Sequence, residues 1–163
     1  MDNKIGNLYM LCGLPGSGKS TYAKNWTKDR DEIVWVSRDE VRYTYIDPNN
    51  CRPEDYYSRE KEVYAAFVTI VREQLLKGRD VVADATFLNR GSRAKFLREL
   101  QLKPNTLNAI VFNTPYEVCL ERNNNREGIR RVPEKVIRSM KNSYSNPTSF
   151  EGFDNIYFRY KRW

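Results

Sequence analysis

The chain has 163 residues, of which 28 are Lys or Arg and 21 Asp or Glu, a formal net charge of +7; 40% are hydrophobic and none is histidine. That length suits one domain that buries about two-thirds of its unfolded surface without disulfide or metal staples, and the apolar share excludes a disordered chain. The lack of histidine excludes His-based triads and zinc sites and leaves a carboxylate, Lys, Tyr or Cys for any general base.

The start, Met1-Asp2-Asn3-Lys4, has no signal-peptide core, and no run of about 18 uncharged apolar residues follows. A cytoplasmic protein with no membrane partner is expected. Asn7 to Cys12 reads as a buried strand, and Gly13-Leu14-Pro15-Gly16-Ser17-Gly18-Lys19-Ser20 fits G-x-x-x-x-G-K-[ST] before a helix opened by Thr21. Glycines 13, 16 and 18 let successive N–H groups turn inward around phosphate oxygens, and the helix start adds its positive dipole end. Lys19 is placed to reach β- and γ-phosphates, and the Ser20 hydroxyl to ligate the bridging Mg²⁺. The candidate nucleotide-binding set is therefore Gly13, Pro15, Gly16, Ser17, Gly18, Lys19, Ser20 and Thr21, with ATP or another NTP and Mg²⁺ as cofactors.

Asp29-Arg30-Asp31 is a polar turn, and Ile33 to Val36 is a second β-prone run. Ser37, followed three residues later by Glu40, forms a capping box for a short helix. Asp39 and Arg42 share one face of that helix and either pair or jointly face a site. In an open parallel sheet the ligand lies beyond the carboxyl ends of the strands, so Asp39 is a candidate base for an attacking hydroxyl as well as a candidate capping residue. After the break at Ile46-Asp47-Pro48-Asn49-Asn50, apolar spacing predicts one long helix from Pro53 to Lys77, stopped by Gly78. Its aromatic stripe reads as core, with Tyr residues at its N-terminal end able to face a substrate groove.

Asp80 to Asp84 predicts a third strand ending in a carboxylate that binds Mg²⁺ directly or through water, orients another polar group, or simply begins a turn. Asn89 starts a helix whose Arg90, Arg93, Lys95 and Arg98 read as a solvated face. Leu107 to Phe112 supplies a fourth strand, and Thr114-Pro115 starts another helix. Arg122 and Arg126 follow four apart, with Gly128 as a hinge before Arg130 and Arg131. Such guanidiniums stabilise charge on a transferring phosphoryl group or cover a solvated helix end. Val132-Pro133 opens a further helix, and Asn155 to Trp163 alternates as a final edge strand guarded by Lys and Arg. Of the three cysteines, Cys12 and Cys119 read as small core residues, and an odd count closes no disulfide framework.

The order β-α-β-α-β-α-β-α-α-β predicts an α/β, three-layer P-loop NTPase fold: a parallel five-stranded sheet with helices on both faces, one domain over residues 1–163. Taken together, Gly13 to Ser20, Ser37-Arg38-Asp39-Glu40-Val41-Arg42, Asp84-Ala85-Thr86-Phe87-Leu88-Asn89 and Arg126 to Ser139 resemble the 5′-kinase domain of phage-type polynucleotide kinases. The resemblance implies Lys19 and Ser20 as phosphate and Mg²⁺ residues, Asp39 as general base, and Arg42 as its positioner or as an acceptor-phosphate ligand. It also implies Asp84 as a further active-site and metal-associated carboxylate. A lid at about 122–132 would bring Arg122 and Arg126 to the nucleotide, with Arg126 on the phosphoryl group and Arg130 and Arg131 as the other arginines eligible for that part.

The implied reaction moves the γ-phosphate of ATP to the 5′-hydroxyl of single-stranded or end-exposed DNA or RNA, in nucleic-acid repair. The net positive charge suits such a polyanion. A 3′-phosphatase half like that of the bifunctional relatives is not expected within these 163 residues. Related motifs occur in small P-loop kinases of nucleosides, nucleotides or sugars, and a non-catalytic ATP-binding module would share the first motif.

Overall fold

The computed structural model describes residues 3–159. Five strands, β1 (Leu8–Cys12), β2 (Ile33–Ser37), β3 (Asp80–Asp84), β4 (Leu107–Phe112) and β5 (Asn155–Arg159), form one sheet in the order β2-β3-β1-β4-β5. Every pairing is parallel. Six α-helices complete the frame: α1 (Lys19–Thr27), α2 (Arg38–Tyr43), α3 (Glu60–Leu76), α4 (Arg90–Leu100), α5 (Tyr116–Asn124) and α6 (Glu134–Ser143). Strand β4 is buried along its whole length, which is why, apart from Asn108, its sequence is apolar and does not alternate.

Alternation in β1 separates the two cores. Leu8, Met10 and Cys12 face Phe67, Val71 and Leu75 of α3 and Phe96 and Leu100 of α4. Leu11, on the opposite face, joins Val82, Ile110 and Ala23 of α1, with Trp26 and Trp35 packed alongside. The register is held by a buried amide: Asn108 Nδ2 donates to the Leu8 carbonyl at 3.1 Å, and its Oδ1 accepts from Asn155 Nδ2 at 2.9 Å. β5 is the edge strand the sequence predicts; residues 160–163 of the expected run lie outside the described residues. Among the described residues, no helix is long and apolar enough to cross a membrane.

Two expectations are corrected. The predicted helix from Pro53 to Lys77 is instead a 3₁₀ turn at Pro53–Asp55, four turn residues, and α3 from Glu60. Tertiary contacts override the helical spacing here: the Arg42 guanidinium lies 5.2 Å from the Tyr56 ring centroid and 5.0 Å from that of Tyr57, and those rings meet edge to face. Arg93, expected on a solvated face, is fully buried. Its Nε donates to Glu151 Oε1 at 2.8 Å and its Nη1 to the carbonyls of Phe87 and Ser145, each at 2.9 Å. It thus ties the loop after β3 to the connection that leads into β5.

The chain runs from β1 outward to β2, returns to β3, and then crosses β1 to reach β4. That reversal opens a crevice above the carboxyl end of β1, and the glycine-rich loop emerges there.

Candidate active site

The loop 13–18 is shaped by backbone that side chains would obstruct. Gly16 has φ +81°, and a Cβ there would sit 2.6 Å from the Cys119 carbonyl oxygen; Gly18, at φ +99°, is the left-handed residue that starts α1. No side chain caps α1, so its first turn presents N–H groups and the positive dipole end to a cleft of about 830 Å³. Lys19 is buried in that cleft wall, its Nζ donating to the carbonyls of Gly13 and Leu14 at 2.9 Å each. Burial pushes its pKa down, with Asp84 and Asp39 opposing the shift. Phosphate oxygens would be stronger partners for this ammonium than two neutral carbonyls.

Strands β2 and β3 deliver the acidic groups. Asp84, at the end of β3, accepts the Ser20 hydroxyl at 2.7 Å and the Trp35 indole N–H at 3.0 Å. Ser37 ends β2 and caps α2, its Oγ accepting the Glu40 N–H at 3.3 Å as the capping box predicts. That cap aims Asp39 into the cleft, where its side chain is 63% exposed and paired with the buried Arg42. Arg42 is held from behind by Glu60, which accepts from Nε at 3.0 Å and from Nη2 at 2.9 Å. Burial works against the Arg42 charge, but Asp39 and Glu60 more than offset it and raise its pKa. The Arg42 guanidinium thus bridges the two carboxylates.

Ser20 and Asp84 fit a magnesium ion that arrives with a nucleotide. Among the described residues there is no cluster of three or more His, Cys, Asp or Glu able to hold a metal alone. Mg²⁺ characteristically takes one or two protein oxygens and completes its shell with phosphates and water, so a hydroxyl beside one carboxylate suits it.

The arginine-rich segment divides its tasks. Arg126 is exposed and lines the same cleft as Lys19 and Asp39, whereas Arg122 donates to the Gly16 carbonyl at 3.2 Å and lines a neighbouring pocket of about 260 Å³ with Thr21, Tyr22, Phe112 and Arg159. Ser17 and Gly18 also line that pocket, and Pro15 lines the larger cleft. Arg131 Nε donates to the Arg126 carbonyl at 2.9 Å, and Arg130 reaches Asn49 Oδ1 at 3.1 Å with its guanidinium 5.2 Å from the Tyr43 ring.

Sequence reasoning missed three contributors. Asn123, fully buried, clamps the base of the segment through two hydrogen bonds to Val132, N–H to Oδ1 at 2.9 Å and Nδ2 to O at 2.6 Å. Glu60 resembled any helix-surface acid, and only the need of Arg38 and Arg42 for a counter-charge hinted at it. Trp35 resembled plain strand core.

A strand, glycine-rich loop and helix carrying Lys19 and Ser20, beside Asp84 on the neighbouring parallel strand, define a P-loop nucleoside-triphosphatase fold. The model of the AAA domain family matches residues 8–147, and the chain belongs to that family. Among solved structures it resembles a chain of the Pnkp1/Rnl/Hen1 RNA repair complex at 24% identity and TM-score 0.70, covering 86% of this chain and 44% of that one. It also resembles a gluconokinase from Sinorhizobium meliloti 1021 at 16% identity and TM-score 0.61, covering 95% and 82%. A third likeness is Chaetomium thermophilum Kti12 in complex with ADP-AlF3, at 18% identity and TM-score 0.61, covering 93% and 88%. The chain thus spans less than half of the repair-complex chain, and these likenesses establish the fold.

Proposed function

We propose that the protein is a kinase that transfers the γ-phosphate of ATP to the 5′-hydroxyl end of DNA or RNA. The observation that carries this reading is the composition of the cleft around Asp39. Its lining joins the phosphate-binding groups to Tyr43, Tyr57, Val132, Val136 and Met140. Aromatic and apolar side chains in the lining suit a nucleobase better than a polyhydroxylated sugar. The motif resemblance and the likeness to an RNA repair complex support the same acceptor.

In this reading the base of ATP enters the pocket beside Arg122 and Tyr22, and Lys19 exchanges its loop carbonyls for the β- and γ-phosphates. Ser20 and Asp84 would hold Mg²⁺ together with the nucleotide, and the ion would supply positive charge to offset that of the phosphates. Asp39, fixed by Arg42, accepts the proton of the acceptor hydroxyl as its oxygen bonds to the γ-phosphorus and the bond to the β-bridging oxygen breaks, releasing ADP. Arg126 stabilises charge on the transferring group. Of the two parts open to Arg42, its pairing with Asp39 and Glu60 supports that of positioning Asp39 over that of binding an acceptor phosphate.

The test offers γ-labelled ATP to 5′-hydroxyl DNA and RNA oligonucleotides, nucleosides, nucleoside 3′-phosphates and gluconate, and compares kcat/KM. Oligonucleotides should win. If about three acceptor phosphates are neutralised, acceptor affinity should fall with a log-log salt slope of about −2. Preference for a nucleoside or for gluconate, with no gain from downstream phosphates, overturns the polynucleotide assignment; label appearing only as inorganic phosphate overturns the kinase.

A further inference from the structure

The indole of Trp35 holds a position that its strand does not require. In the β2–β3 register Ser37 stands opposite Asp84 and Trp35 opposite Val82, so Trp35 and Asp84 are diagonal neighbours two positions apart. Trp35 and Val82 share a face with Leu11, the residue registered against Asp84 on the other side. Diagonal neighbours on adjacent strands lie about 7–8 Å apart at the backbone, a gap that only a long side chain crosses. Trp35 crosses it and donates Nε1–H to Asp84 Oδ2 at 3.0 Å, the same oxygen that accepts the Ser20 hydroxyl at 2.7 Å. The ring also lines the cleft and lies 5.2 Å from Lys24 Nζ, a neighbour on α1.

We infer that Trp35 is a positioning residue that sets the Asp84 carboxylate for a nucleotide-bound Mg²⁺ ion. The inference rests on the reading of Ser20 and Asp84 as the metal-holding pair. Two donors converge on Oδ2 from different elements, the hydroxyl from α1 and the indole from β2. Two donors approaching from different elements hold Oδ2, and with it the carboxylate torsion, more firmly than either would alone. Neither uses Oδ1, so the second oxygen keeps its acceptor capacity for the metal or its water shell. The arrangement also survives metal binding: Ser20 can offer an Oγ lone pair to the ion while Trp35, which has no lone pair to give, continues to hold the carboxylate.

A core residue that merely fills space would behave differently, and Trp35→Phe separates the two roles because it keeps an aromatic ring and removes the donor. Dissociation constants for ADP are measured by calorimetry with Mg²⁺ and again in EDTA, for wild type, Trp35→Phe, Asp84→Ala and the double variant. Trp35→Phe should weaken ADP binding in Mg²⁺ by about tenfold, the lower end of the range for groups that orient a metal ligand. Binding in EDTA should stay within about twofold, and the double variant should match Asp84→Ala, since an effect transmitted through Asp84 vanishes with it. Equal losses with and without Mg²⁺, an additive double variant, or an unchanged Mg²⁺-dependent affinity would each overturn the proposal.

Failure of the underlying metal reading looks different, because Asp84→Ala would then leave the Mg²⁺ dependence of wild type intact. A measurement on the unmutated ring covers the case in which Trp35→Phe does not fold. In protein labelled with 5-fluorotryptophan, the Trp35 fluorine resonance should move when Mg²⁺ is added to the ADP complex and should not move in Asp84→Ala. A resonance indifferent to Mg²⁺ overturns the inference.

Discussion

Replacing Arg93 by Met tests the buried hub that holds the loop after β3. The pair it forms with Glu151 is closed to solvent, the two side chains being 0% and 5% exposed. Arg93→Met keeps an unbranched apolar stem but strands the Glu151 carboxylate, whose remaining partner is Thr148, with its N–H at 2.8 Å. It also removes the donor from the carbonyls of Phe87 and Ser145. Removing one partner of a buried ion pair costs about 3–5 kcal/mol. For a chain of this size each kcal/mol moves Tm by about 2–4 °C, so Tm should fall by about 6–20 °C in calorimetry or circular dichroism. Arg93→Met/Glu151→Met should recover at least half of that loss, because no buried charge is left alone. Phe87 has φ +41° and carries the Asp84–Thr86 segment into the site, so kcat should fall in the single variant even well below its Tm. A loss under about 1 kcal/mol, or a double variant less stable than the single one, would refute the reasoning.

The same pair gives a pH signature: burial alone would raise the Glu151 carboxyl, but Arg93 and the Thr148 N–H hold it below its ordinary value. Its stabilisation is therefore fully present above the ordinary carboxylate range of about pH 4.3 and lost as pH falls through the depressed folded value, and the gap between wild type and Arg93→Met should close over that acid window. Asp39→Asn should bind ATP normally and lose about two or more orders of magnitude in kcat; weakened ATP binding at unchanged kcat would make Asp39 a structural residue. Arg126→Ala should lower kcat more than ATP affinity, and a full-rate variant would move its part to another arginine of the segment. Lys19 sits below the ordinary lysine value because of burial, and phosphates bind its ammonium form, so ADP affinity should begin to fall at a pH below about 10.4; a flat Kd up to that pH would contradict the assignment. Tyr57→Ala should raise the KM for oligonucleotides by about fivefold or more through lost stacking while leaving the KM for ATP unchanged, and equal effects on both substrates would place Tyr57 outside the acceptor site.

The sequence alone determined the parts of this protein that depend on neighbours in the chain. Glycines before Lys19 and Ser20 dictate a phosphate-shaped turn, Ser37 and Glu40 dictate the cap that presents Asp39, and apolar runs of strand length alternating with helices dictate a parallel sheet. Tertiary structure decided what depends on residues distant in the chain. Arg93 and Glu151 lie 58 positions apart, so nothing local marked that arginine as buried. The carboxylate of Glu60 serves Arg42, 18 positions earlier, and Trp35 finds Asp84 across 49. Arg122 and Arg126, equal in spacing and chemistry, part company only because one faces the Gly16 carbonyl and the other the cleft. Periodicity reports which face of an element is apolar, but a charged side chain is placed by its counter-charge, and the fold alone brings the two together.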